Sequence, residues 1–89
     1  MTRDMELIRK ILLEVESWKD VSPRKITIDG VDYEVLMRHL EMLKDEGLID
    51  ALLHPSMSGD VPDLVYVKDL TWAGHDFASA LKNHNVWNK

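Results

Sequence analysis

The sequence predicts an α+β domain in which three helices pack on a small antiparallel sheet. Three observations carry that prediction. Apolar residues recur at three- and four-residue spacings in two long segments, each closed by a helix-breaking stretch. Two β-rich runs joined by turn residues follow the second of these segments, and a capped helical segment comes after them. Finally, 89 residues leave room for one core only, so residues 1–89 are read as a single domain.

Taken in order, Met5, Ile8, Ile11, Leu12, Val15 and Trp18 form the apolar stripe of a helix over residues 4–17. Asp4 is placed to cap it, and Glu6 suits the positive end of the helix dipole. Pro23 disfavours helix in the residue before it, which ends the periodic pattern. Ile26-Thr27-Ile28 is β-branched and closed by Asp29-Gly30, so a brief strand is expected at 26–28. Residues 32–46 form the second helix, with Leu36, Leu40 and Leu43 as its buried stripe and Tyr33 and Val35 on the flank. Gly47 stands where a left-handed C-cap is required. Residues 48–54 and 64–68 read as an antiparallel hairpin around the turn-rich loop 55–62. Thr71 caps the last helix, whose inner face is read as Ala73, Phe77, Ala80, Leu81 and His84. The resulting order, α-β-α-β-β-α, is winged-helix-like.

Composition excludes several classes of protein. Hydrophobic residues at 45% and charged residues at 30% are ordinary globular values, not those of a disordered chain. The absence of cysteine rules out disulfides, thiolate catalysis and cysteine-based metal sites, and fits a cytoplasmic location. No apolar run reaches the length of a membrane span, and Met1-Thr2-Arg3-Asp4 lacks a signal-peptide layout. The net charge is −5. Much of it lies on the second helix, where Asp32, Glu34, Glu41, Asp45 and Glu46 face only Arg38 and Lys44. The hairpin adds Asp50, Asp60, Asp63 and Asp69 against Lys68.

Three blocks of residues carry a resemblance. They are Arg3-Asp4-Met5-x-Leu7-Ile8-Arg9-x-Ile11-Leu12, His39-Leu40-x-x-Leu43-x-x-x-Gly47-Leu48-Ile49, and Leu70-Thr71-Trp72-x-Gly74-His75-x-Phe77 with a late Trp87. Together they resemble an uncharacterised family of small bacterial and prophage proteins, domain of unknown function twenty-five thirteen. The resemblance implies a winged-helix fold and no particular activity. More distantly, the leucine–glycine block is similar to the junction of recognition helix and wing in MarR-like and PadR-like repressors. This chain departs from them in lacking a clear second helix between Pro23 and Gly30.

His39, His54, His75 and His84 lie on separate segments with no paired spacing, so no metal ligands are expected. Ser56-Met57-Ser58-Gly59 is not a nucleophile elbow, no glycine-rich loop opens a helix, and no catalytic residue or cofactor is expected. Trp18, Tyr33 and Phe77 are read as core. Trp72, Trp87 and the off-stripe methionines Met37, Met42 and Met57 are harder to hide. Adaptable methionines and large aromatics at a surface suit contact with another protein. The expectation is therefore a non-enzymatic module acting through protein contacts, with a second copy or another protein, through Met37, Arg38, Glu41, Met42, Trp72 and Trp87. The alternative is a bacterial or prophage transcriptional regulator touching DNA through Arg24, Lys25, Arg38 and Lys44. That alternative suffers from the acidic second helix and hairpin, because phosphate neutralisation supplies most of the affinity for a polyanion.

Overall fold

The computed structural model describes residues 3–57, 59 and 61–82. The elements follow as α1 (Met5–Glu16), α2 (Tyr33–Asp45), β1 (Ile49–His54), β2 (Leu64–Leu70) and α3 (Trp72–Lys82). This is an α+β arrangement of three helices and one two-stranded antiparallel sheet.

Helix α1 begins where its cap predicts. The Asp4 carboxylate accepts the amides of Glu6 and Leu7 at 3.1 and 3.2 Å, satisfying two donors that a helix start leaves unpaired. Leu7, Ile8, Ile11, Leu12 and Val15 are buried along its inner face. Helix α2 ends in a Schellman motif. Gly47 takes φ +76°, its amide donates to the Lys44 carbonyl at 3.0 Å, and the Leu48 amide reaches back to the Leu43 carbonyl at 2.9 Å.

β1 and β2 pair from Ile49↔Leu70 to His54↔Leu64, and one extra residue on β2, Lys68, makes a bulge opposite the Asp50/Ala51 step. Ile49, Ala51, Val65, Val67 and Leu70 face the core. The strand expected at 26–28 is reduced to one bridge. Arg24 exchanges both backbone hydrogen bonds with Val67, at 3.0 and 2.8 Å. Pro23 has no amide with which to continue the ladder on one side, and the Asp29-Gly30 turn, with Gly30 at φ +79°, soon carries the chain away on the other. Ile26 is nonetheless buried. No helix forms between α1 and α2.

Two further expectations are corrected. The inner face of α3 is Gly74, Ala78 and Leu81, with Phe77 half-buried, while Ala73 and Ala80 are exposed. The helix is rotated from the expected stripe because Gly74 lies against the Leu48 carbonyl. A Cβ placed there would sit 1.9 Å from that oxygen. His84, the last residue of the expected stripe, lies outside the described residues. Tyr33, expected in the core, is 56% exposed, and its hydroxyl donates to the Asp63 carbonyl across to the hairpin. Trp18 and Phe77 do pack against the core as half-buried residues.

Candidate functional site

The two most distinctive sequence blocks meet in space. Thr71 Oγ1 donates to the Gly47 carbonyl at 2.5 Å and accepts the Gly74 amide at 3.0 Å, so one hydroxyl serves both the end of α2 and the start of α3. The Thr71 amide donates to the Leu48 carbonyl at 3.1 Å, the same oxygen that Gly74 abuts. These motifs form a clasp that fixes the helices. Its functional consequence is positional. Trp72, the first residue of α3, lies between Thr71 and Gly74 of the clasp and is 91% exposed.

The remaining residues of the expected contact surface do not join Trp72 in one patch. Met37 belongs to the core at 4% exposure, which corrects its assignment to the surface. The buried set of α2 is Leu36, Met37, His39, Leu40 and Leu43. The stripe is that wide because both strands of the hairpin pack against the helix. Glu41 and Met42, one residue apart, are turned about 100° from each other. Glu41 lines a cleft with Leu53 and the loop residues Val61 and Pro62. Met42 lines a different groove with Arg3, Leu48 and Phe77. Arg38 is half-exposed on α2, nine residues before Gly47, or ~14 Å along a helix. Trp87 lies outside the described residues. Met57, one of the off-stripe methionines, is fully exposed in the loop after β1, and Leu52 on β1 is an exposed apolar residue that periodicity did not single out.

The basic residues of the DNA alternative are divided between two elements. Arg24 is already engaged within the chain. Its guanidinium lies 2.5 Å from Asp20 Oδ1 and 4.6 Å from the centre of the Trp18 ring. The Ser22 amide and that guanidinium hold the Asp20 carboxyl below the ordinary carboxylate range. Lys25 follows on the same extended segment and is exposed, whereas Arg38 and Lys44 are half-exposed on α2 among its carboxylates.

His39 is the buried polar residue that sequence reasoning missed. At 1% exposure, its Nδ1–H donates to the Val35 carbonyl at 2.8 Å, and its Nε2 accepts the Asp4 amide at 3.0 Å. A carbonyl can only accept and an amide can only donate, so these partners fix the tautomer. The ring binds α2 to the start of α1. Its place between Leu36 and Leu43 on the apolar face was the available signal, since a histidine at three- and four-residue spacing within a buried stripe must find internal partners. Among the described residues, no group of three or more histidine, aspartate or glutamate side chains is placed to hold a metal ion. Among the described residues, no helix is long and apolar enough to cross a membrane.

The geometry thus defines a small α+β domain whose most distinctive residues hold its helices together, with one aromatic side chain displayed at the clasp. The chain belongs to the family described as Hypothetical protein (DUF2513), a family of unknown function whose model matches residues 2–89. It is also 32% identical over 90 residues to an uncharacterized protein of Haemophilus influenzae, a match covering 99% of this chain and 74% of that protein. No solved structure matches it.

Proposed function

We propose that this chain is a non-enzymatic, winged-helix-like module that works through contact with protein, either a second copy or another chain. The observation that carries the reading is Trp72. A tryptophan 91% exposed on the first turn of a helix costs less backbone entropy to engage than one on a loose loop, because the hydrogen bond between Thr71 and Gly74 holds the backbone on either side. Covering such a side chain removes on the order of 150–250 Å² of largely apolar surface from water. Aromatic anchors dominate the energetics of many interfaces. The winged-helix-like reading is supported by the Arg24–Val67 bridge, which lays the extended segment on the edge of β2 away from β1. The acidic character of α2 and of the hairpin argues against phosphate as the contacted surface.

Light scattering over a concentration series, with and without a candidate partner, tests the reading. The 10.3 kDa chain is expected to form a larger species that Trp72→Ala weakens at least tenfold, with the melting temperature unchanged. A parallel titration with duplex DNA supplies the overturning result. Tight binding with a steep log–log salt dependence, unaffected by Trp72→Ala, would replace this proposal with the DNA-binding one.

A further inference from the structure

One edge of the hairpin has no strand beside it. The sheet runs β1-β2, and the isolated bridge from Arg24 to Val67 lies on the side of β2 away from β1. That bridge also settles which backbone groups β1 turns outward. Val67 gives its amide and carbonyl to Arg24, so it keeps neither for Ala51, the residue opposite it on β1. Ala51 therefore directs its own amide and carbonyl away from β2. Alternation gives Leu53 the same direction and turns Leu52 and His54 toward β2. The His54 carbonyl does accept the Asp63 amide there, at 2.8 Å. Among the described residues, no group bonds the outward amides and carbonyls of Ala51 and Leu53. The edge also lacks the usual obstacles to pairing. β1 contains neither proline nor lysine, and the bulge residue, Lys68, belongs to β2.

The side chains of β1 select the occupant. Asp50, Leu52 and His54 alternate on the exposed face, while Ile49 and Ala51 face the core. His54 packs T-shaped against Tyr66 on that face, and Lys68 approaches the exposed Asp50 only to 3.9 Å. Acid, leucine and imidazole in this order complement themselves. An antiparallel copy of β1 with Leu52 on the two-fold axis sets Asp50 against His54, and Ala51 against Leu53, in both directions. Ala51 and Leu53 carry the outward groups, so they exchange both backbone hydrogen bonds across the axis. Leu52 meets its counterpart as a non-hydrogen-bonded pair, with Cα atoms about 4.5 Å apart. Each Asp50 carboxylate accepts an imidazole N–H. Shifting the axis by one residue spoils the match either way. On Ala51 it sets the Asp50 carboxylate against Leu52; on Leu53 it sets Ala51 against Pro55, which has no amide to donate. We propose that two copies of this chain pair antiparallel through β1, with Leu52 on the axis, and join their two-stranded sheets into one of four strands. The pairing does not use Trp72, so either contact can fail without the other.

Disulfide trapping reads the axis directly, because the chain has no cysteine of its own. Leu52→Cys is expected to form an intermolecular disulfide in mild oxidant at least tenfold faster than Tyr66→Cys. Tyr66 lies opposite Leu52 on β2, so its counterpart would be three strand spacings away, or ~14 Å, too far to bridge. In light scattering without oxidant the parent should dimerise. Leu52→Asp, at a site 53% exposed, sets two carboxylates face to face and should weaken the dimer at least tenfold. Asp50→Lys and His54→Asp should each weaken it, and the two combined should recover most of the loss. Three results would overturn the assignment. One is a strict monomer at millimolar concentration, which would leave the edge to a strand of another protein. Another is equal trapping at positions 52 and 66. The third is an assembly that Trp72→Ala weakens and Leu52→Asp leaves intact, which would uphold the Trp72 contact and remove this one.

Discussion

The clasp between α2 and α3 and the extended segment between α1 and α2 hold the chain in opposite ways. At the clasp, Gly47, Leu48, Thr71 and Gly74 exchange hydrogen bonds over a few residues, and Gly74 brings two backbones into direct contact. Along the segment, one bridge at Arg24, the buried Ile26 and an exposed ion pair carry the attachment. The comparison separates conformational constraint from available space. The clasp spends its hydrogen-bonding groups on itself. The segment leaves an apolar cleft lined by Ile28 and Leu36, and an exposed lysine, Lys25.

Substitutions can break or sharpen that contrast. The largest effect is expected for Gly74→Ala. Its new methyl would meet the Leu48 carbonyl, which is backbone and cannot rotate away. The cost should be about 3 kcal/mol or more, lowering the thermal midpoint by roughly 12 °C or more. A variant that melts like the parent would mean that α3 does not touch the Leu48 backbone there. Gly47→Val should come next, at about 1–3 kcal/mol, because nothing crowds the site and only the left-handed backbone is strained. Gly47→Asn should recover much of that loss, since asparagine tolerates this conformation. Equal effects of valine and asparagine in a denaturant series would point to a cause other than φ.

The smallest effect belongs to the segment. Arg24→Ala should lower the midpoint by only roughly 2–8 °C, chiefly through loss of the contact with Trp18. It should also flatten the acid limb of a stability–pH curve. The carboxyl of Asp20 titrates below its ordinary value of 3.8, so its contribution is present above that value and disappears as the pH falls through the lower, folded one. A drop as large as that for Gly74→Ala would show the segment to be as firmly built in as the clasp.

Helix ends were legible in the sequence because they depend on local chemistry. Asp4, Gly47 and Thr71 each act within a few residues of their own position, and each forms the cap its identity indicates. What the sequence concealed depends on neighbours distant along the chain. In the stripe of α3, Leu81 lies inward as periodicity indicates, but Ala73 and Ala80 give way to Gly74 and Ala78, because the close approach of Gly74 to Leu48 is a tertiary fact. Met37 and Tyr33 exchanged places, since periodicity locates a stripe and does not say how widely the hairpin covers it. The expected contact surface separated for a similar reason: Glu41 and Met42 are neighbours in sequence and face different grooves.

The His39 bond to the Asp4 amide spans 35 residues and has a consequence for biosynthesis. The first helix leaves the ribosome well before the imidazole that completes its start. Until α2 has emerged and docked, that amide can bond only to water, and the opening turn should fray. The start of α1 is thus finished late, by a residue of α2.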